Sequence, residues 1–413
     1  MSGATPRETG QNDLDRSRVA KVFVMVFLDM LVYAMLIPVF PYQAQEFGAS
    51  GFQVTLLMSG YAGMQLVFNP FWGALSDKFG RRPLMLVSLS GSLLSAAVFA
   101  LSSHYTWVLV SRLIGGLLIA NLPLAQSLFA DLSPPHKRSA GMAYFGIAFG
   151  LAFILGPALG GWVSGWGYAW AGWVAAALTL VNMGLVWRML PETRFLQTSQ
   201  RSPSQLWRVV SPVHNLSTSR QLGVLGLVGM YLVFVVSASF VESTFSLFMK
   251  NHHQLPSTMV GLLLAYFGLI LVGIQGWLVP KLTARYGDKR MIELGSLLMI
   301  MGLWLFVNTD WGPAMIVTLA VLSAGMGVMY IAILSAVSRR VPASLQGRVL
   351  GITASVASFS RALGPLWAGY AYDTLGVHAP YVSAMILMGL LLFLVLLGWL
   401  NVPAIPTLRT EEG

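Results

Sequence analysis

Residues 73 to 83, Gly-Ala-Leu-Ser-Asp-Lys-Phe-Gly-Arg-Arg-Pro, separate two long apolar stretches with three positive charges, Lys78, Arg81 and Arg82, and one negative charge, Asp77. Gly80 permits a positive φ, and Pro83 suits the first turn of a new helix. The pattern predicts a hydrophobic helix that ends, a sharp basic turn, and a second hydrophobic helix. The same design returns at Leu282-Thr-Ala-Arg-Tyr-Gly-Asp-Lys-Arg, which aligns with Leu75-Ser-Asp-Lys-Phe-Gly-Arg-Arg-Pro at an offset of 207 residues. That is half of a 413-residue chain, so the sequence is built from two similar halves.

Only 10% of the residues are charged and 56% are hydrophobic, whereas a soluble domain carries about 25% charge. So few charges cannot cover a soluble protein of this length, and the solvent must be mostly lipid. There is no Cys, hence no disulfide framework and no thiol chemistry. The N-terminus is polar through Arg18, which predicts no cleaved signal peptide. At about twenty apolar residues per crossing, spans are expected near 19–41, 52–75, 83–101, 106–131, 139–164, 168–190, 221–249, 258–281, 291–307, 312–337, 347–372 and 380–401. The expected fold is an all-α membrane protein with twelve transmembrane helices in two pseudo-repeated six-helix bundles, 19–190 and 221–402. A polar linker at 191–220 joins them, and tails at 1–18 and 403–413 flank them.

Of the 25 Lys and Arg residues, 22 fall in the tails and one set of alternate loops, Lys250 alone lies in the opposite loops, and Arg112 and Arg361 lie inside spans. The positive-inside rule then places both termini in the cytoplasm of a multi-pass cell (inner) membrane protein. The net charge of +10 is thus a topology signal, and no nucleic-acid partner is expected.

Asp29 sits about ten residues into the first span, roughly 15 Å deep. A carboxylate there faces a watery cavity, pairs with a cation, or takes up a proton. Interconversion of the last two states is what a proton-coupled carrier needs; a static ion pair is the bland alternative. Glu242, about seven residues from the outer end of the seventh span, could bind a cationic substrate, carry a proton, or reach water on its flexible stem. Arg361 in the eleventh span could bind an anionic substrate group or balance Glu242. Polar groups able to line a cavity include Tyr33, Asn121, Gln126, Tyr231, Gln275 and Tyr330. Gly150, Gly156, Gly160 and Gly161 follow a small-residue spacing that lets helices approach closely, and Pro157 bends its helix. Together they read as a tight, bendable joint. Trp162, Trp166, Trp170 and Trp173 read as an interfacial belt, and the adjacent His252 and His253 as a solvated loop with no metal.

Three stretches also carry a family resemblance. The 73–83 loop resembles the major facilitator superfamily signature between its second and third helices. Arg112-Leu-Ile-Gly-Gly resembles that superfamily's fourth-helix arginine motif, and Gly150-Leu-Ala-Phe-Ile-Leu-Gly-Pro-Ala-Leu-Gly-Gly161 resembles the motif of its antiporters. Asp29 followed by Pro38-Val-Phe-Pro41 is similar to the first helix of tetracycline-type exporters. The second loop copy departs from the pattern, with Ala284 in place of the acid, and the tenth span has no counterpart to Arg112.

The resemblance implies a carrier in which Arg112, whose charge is permanent, biases protonation of Asp29. It also implies a cytoplasmic gate of Gly73, Asp77, Gly80, Arg81 and Asp131. There Asp77 faces the positive N-terminal end of the helix starting near Gly347, and Arg81 pairs with Asp131. The expected function is proton-coupled efflux of amphipathic small molecules, of multidrug or tetracycline-like type, by alternating access. Its partners are a small-molecule substrate, protons and membrane lipid. The carrier is expected to act as a monomer without cofactor. A carrier for one metabolite, in either direction, is the alternative within transport. A membrane enzyme is disfavoured by the lack of a nucleophile–base cluster, metal-ligand set or phosphate-binding Gly-x-x-x-x-Gly-Lys-Ser/Thr loop. A sensor is disfavoured by the short tails and linker.

Overall fold

A computed structural model of the chain describes residues 16–119, 124–126, 128–129, 138–190, 218–341 and 343–398. Among these residues all regular structure is helical. The helices of the first half are α1 (Arg16–Leu36), α2 (Val39–Glu46), α3 (Gly51–Phe79), α4 (Arg81–Ala100), α5 (Tyr105–Leu118), α6 (Arg138–Ser164) and α7 (Tyr168–Met189). Those of the second half are α8 (Thr218–Asn251), α9 (Ser257–Gly273), α10 (Val279–Asn308), α11 (Pro313–Arg339), α12 (Ala343–Thr374) and α13 (Ala379–Leu396). Among the described residues each expected span has a helical counterpart, the first made of α1 and α2 together and the fourth described as α5 only up to Leu118. Most of the expected 191–220 linker, both tails, Asn121 and Asp131 lie outside the described residues.

Local chemistry sets the breaks. Pro38 caps the start of α2; lacking an N–H, it cannot continue the ladder of α1. Gly80 (φ 95°) separates α3 from α4, and Gly287 (φ 79°) kinks α10 at the matching place in the second copy. Both positive angles suit glycine, so the repeated loop is a repeated turn. A π-helical segment, Ile274–Leu278, leads from α9 into α10. Pro280 explains it, because its ring crowds the carbonyl four residues back and its nitrogen offers no hydrogen.

The chain forms two compact units. Unit 1 comprises residues 1–47, 67–197 and 256–265, and unit 2 comprises 48–66, 198–255 and 266–413. Each sequence half therefore gives a short segment, the start of α3 or of α9, to the other unit. Within unit 1, α1 packs on α6 and α7, and α4 packs on α5 and α7. Within unit 2, α8 packs on α12 and α13, and α10 packs on α11 and α13. The same pairing pattern recurs along the two halves, which is the structural form of the repeat.

The core of unit 1 joins Met25 and Val26 of α1, Met85 and Leu89 of α4, Ala148 and Ala152 of α6, and Val186 of α7. Asn182 donates to the carbonyl of Met25 at 3.0 Å, tying α7 to α1. In unit 2 an aromatic cluster of Phe248, Phe306 and Tyr381, with centroids 4.9–5.0 Å apart, joins α8, α10 and α13. Large apolar side chains such as Val181, Trp187, Ile386 and Phe393 are exposed. In water this would be a liability; around helices of this length it is a lipid-facing surface. Nine segments of the described residues are long and apolar enough to cross a bilayer, and Ser257–Asn308, at 52 residues, is long enough to do so twice. The chain is a multi-pass, all-α membrane protein.

Candidate functional site

Tyr231 and Glu242 stand eleven residues apart on α8, three helical turns, so they share one stripe about 16 Å long. Glu242 lies nine residues before the helix ends, about 13 Å along its axis, and its side chain is exposed to solvent there. Arg361 of α12, also exposed, is near enough to interact electrostatically with Glu242 and with Tyr231. Tyr330 of α11 meets Tyr231 edge-on, with ring centroids 6.1 Å apart. Phe234 packs at 6.1 Å from Tyr330 and 6.4 Å from Tyr231. Gly364 lets α12 come this close to α8, since a Cβ there would collide with the Ser239 hydroxyl.

Four residues singled out in the sequence, Tyr231, Glu242, Tyr330 and Arg361, thus form one cluster within unit 2. A carboxylate and a guanidinium open to solvent at this depth face water, because either would be costly against lipid tails. The sequence reading missed Phe234. Its position one turn from Tyr231, on the same stripe, was the available signal. The cluster offers a fixed cation, a titratable acid and two phenol hydroxyls beside an aromatic surface. Such a set suits a small molecule with an apolar body and a polar or charged end.

In unit 1, Asp29 is buried mid-way along α1, and Arg112 of α5 is buried as well, at 6% and 5% exposure. The guanidinium of Arg112 sits 4.2 Å from the ring centroid of Phe40, which is packed edge-on against Phe99 at 4.5 Å. Arg112 is therefore enclosed by protein on an aromatic face and does not reach outward to headgroups. Tyr33 lies 6.2 Å from Phe153, itself stacked on Phe149 at 4.4 Å. Gln126 is exposed.

The glycine motif of α6 is crowded on two faces. A Cβ on Gly156 would stand 2.6 Å from the Ala34 Cβ, and one on Gly160 would collide with the Met35 carbonyl, both on α1. A Cβ on Gly161 would stand 2.7 Å from the Ser257 carbonyl and 3.0 Å from the Gly261 Cα, both on α9. Ser164 donates to Ser257 at 2.8 Å across the same contact. Gly150 and Pro157 are buried along the helix. The motif is a close-packed seam, with α1 on one side and the start of α9 on the other.

At the basic turn, Arg81 hydrogen-bonds Ser76 and Arg82 hydrogen-bonds the Trp187 carbonyl. A Cβ on Gly73 would meet open space. Asp77 lies in the last turn of α3. In the second copy Asp288 is nearly buried and faces Arg339 and Arg340 at 3.9 and 4.0 Å. Trp162, Trp166, Trp170 and Trp173 are all exposed. His252 and His253 are joined by His378; the ring centroids of His253 and His378 lie 4.8 and 5.0 Å from that of His252.

A family model for the Major Facilitator Superfamily matches residues 22–365 and, in an overlapping second match, 227–413. The chain belongs to that superfamily. Among its relatives, the human Major facilitator superfamily domain-containing protein 10 is 29% identical over 99% of this chain and 98% of its own length. The class B tetracycline resistance protein of Escherichia coli is 27% identical over 85% of this chain and 87% of its own length. The crystal structure of the human organic anion transporter MFSD10 (TETRAN) superposes with a TM-score of 0.68 at 28% identity, covering 93% of this chain and all of that one. The crystal structure of a point mutant of the nucleoside transporter NupG superposes with a TM-score of 0.76 at 14% identity, covering 92% and 99%, and so speaks to fold alone. This superfamily member is a transporter.

Proposed function

We propose that the chain is a proton-coupled secondary exporter of amphipathic small molecules that works by alternating access. The observation that supports this reading is the nearness of Glu242 to Arg361, close enough for electrostatic interaction, on an exposed face at membrane depth. An acid beside a permanent cation exchanges a proton for a change of partner, and the aromatic surface of Tyr231, Phe234 and Tyr330 receives the apolar part of a substrate. Asp29, buried in the other unit, is the second proton site, with Arg112 a positioning cation in the same unit. The likeness to tetracycline resistance proteins supports efflux. The charge asymmetry of the loops supports cytoplasmic termini, a cytoplasmic 191–220 linker and residence in the cell (inner) membrane. In this orientation the Asp77–Arg81–Asp131 gate lies on the cytoplasmic side and the glycine seam of α6 on the outer side.

A second reading has its own support. Arg361 is a fixed cation open to solvent, and one relative of known structure is described as an organic anion transporter. If the substrate's anionic group occupies Arg361 while Glu242 holds the proton, the two load together and move in the same direction. If instead the substrate competes with the proton for Glu242, they move in opposite directions. Proteoliposomes with an imposed pH gradient decide between the readings. Tetracycline accumulation in acid-loaded vesicles supports the exporter. Accumulation of a fluorescent organic anion only when the outside is acidic supports the second reading and overturns the first.

A further inference from the structure

The start of α3 is fastened by a residue 322 positions away. Asp373, on the last turn of α12, accepts the backbone N–H of Gly51 at 2.9 Å through Oδ1 and that of Phe52 at 2.8 Å through Oδ2. The first turn of α3 contains no acidic residue of its own. Its remaining local donor is met within the turn. Ser50 Oγ accepts the Gln53 N–H at 3.3 Å and Gln53 Oε1 accepts the Ser50 N–H at 2.9 Å, a capping box. So the box satisfies the third N–H of the helix, and the first two depend on Asp373.

The helices are packed too closely here for the contact to be incidental. A Cβ on Gly51 would stand 2.5 Å from Asp373 Oδ1 and 2.6 Å from Tyr372 Cδ1, and one on Gly369 would stand 2.8 Å from the Phe52 Cα. The matching seam of unit 1, offset by about half the chain, brings the start of α9 onto α6 through Gly161, Gly261 and the Ser164–Ser257 hydrogen bond. That seam is neutral. The position corresponding to Asp373, 208 residues earlier, is Gly165.

We propose that Asp373 is a charge latch for the outer side of the carrier, reciprocal to the one expected of Asp77 on the cytoplasmic side. Asp77 ends α3 and is expected to face the start of α12; Asp373 ends α12 and holds the start of α3. The helices have 29 and 32 residues, about 43 and 48 Å, so the two contacts belong to opposite faces of the bilayer. Opening of the outer side separates the start of α3 from Asp373. Each carboxylate stabilises closure of its own side, and the balance between them sets the resting conformation. This rests on the alternating-access reading.

The test uses the full chain, which has no native Cys, with single reporters at Thr55→Cys and Ser257→Cys, both buried in the two seams. Labelling by a membrane-impermeant maleimide is followed from the outer side at one fixed pH. Asp373→Asn is expected to speed labelling of both reporters about threefold or more, as loss of a charge at a helix start allows, and Asp373→Glu to restore the wild-type rate. Asp77→Asn should slow both. The latch is overturned if Asp373→Asn leaves both rates unchanged. It is equally overturned if only Thr55→Cys responds, which would mean local fraying of α3. If Asp77→Asn also moves neither reporter, alternating access itself fails; if Asp77→Asn moves both and Asp373→Asn neither, the latch alone fails.

Discussion

Asp288 Oδ2 lies 3.9 Å from Arg339 Nε, reversing the charge order of the first half. Asp288 occupies the place of Arg81, 207 residues on, and Arg339 the place of Asp131, 208 residues on. At the second turn the structure thus has an acid on the loop and a base at the helix end, the opposite signs to the Arg81–Asp131 pairing expected at the first. Ser335 donates to the other oxygen of Asp288 at 2.9 Å. The loss of the acid at Ala284 in the second copy coincides with an acid four residues later, where it meets the end of α11.

This pair predicts an ordering of stabilities. The side chain of Arg339 is 53% exposed and that of Asp288 8% exposed, while Arg340, 4.0 Å from Asp288, is 10% exposed. Arg339→Ala should cost under about 1 kcal/mol, as exposed ion pairs do. Asp288→Ala removes the countercharge of a nearly buried arginine and the acceptor of Ser335, and should cost about 1–3 kcal/mol. Thermal unfolding of the purified protein in detergent ranks the two. Equal losses would mean that the turn is held by something other than Asp288.

The α6 seam predicts sharp differences among glycines of one helix. Gly160→Ala places a methyl against the Met35 carbonyl, whereas Gly146→Ala meets open space. Overpacking against backbone costs about 1–3 kcal/mol, so Gly160→Ala should lower both yield and melting temperature. Gly146→Ala should leave both unchanged or slightly raised, since alanine is the better helix former. Comparing the melting curves of the two variants checks the seam.

These glycines also show what could be read from the sequence. The small-residue spacing identified a packing motif, and the repeated Gly80 and Gly287 identified matching turns, because both effects are local. Tyr231 and Glu242 were recognisable as polar groups in a span, and their separation by three turns put them on one stripe. That Arg361 and Tyr330 would meet them required the packing of α8 against α11 and α12. Other features were hidden for the same reason. Arg112 on Phe40 depends on where α5 crosses α2. Asp373 reads in the sequence as an ordinary acid at the end of a span. Only its approach to the start of α3, brought near by Gly51 and Gly369, gives it a partner.

The imidazoles beyond the end of α8 predict a pH dependence of stability. Burial is the main cause that holds His253 below the ordinary imidazole value of 6.5, with His252 and His378 acting in the same direction and Asp310 opposing. Burial, then His252, likewise lowers His378. Their unfolded forms therefore bind protons at a higher pH than the folded forms. The stability these residues contribute is fully present above pH 6.5 and is lost as the pH falls through that value toward the lowered folded values. The melting temperature should drop between about pH 7.5 and pH 5, and His253→Gln with His378→Gln should flatten that drop. An unchanged slope in the double variant would assign the acid sensitivity to other groups.

Proton coupling gives the most direct test of the two acids. Asp29→Asn keeps size and hydrogen bonding but cannot titrate, and Asp29 is buried whereas Glu242 and Arg361 are exposed. Asp29→Asn should still bind substrate and exchange it downhill, because exchange need not pass through a protonation change, but it should not concentrate substrate against a gradient. Glu242→Gln removes the negative charge near Arg361 and should change substrate affinity as well as coupling. Arg112→Lys retains the charge but loses the planar guanidinium, including its fit over Phe40, and should impair coupling less than Arg112→Ala. Inside-out vesicles, acidic inside, with tetracycline as the probe, separate these outcomes through paired measurements of accumulation and counterflow exchange. If Asp29→Asn accumulates the probe as fully as wild type and loses it equally when the gradient is collapsed, the coupling proton does not ride on Asp29. Failure of accumulation in Glu242→Gln alone would then place it in the cluster with Arg361.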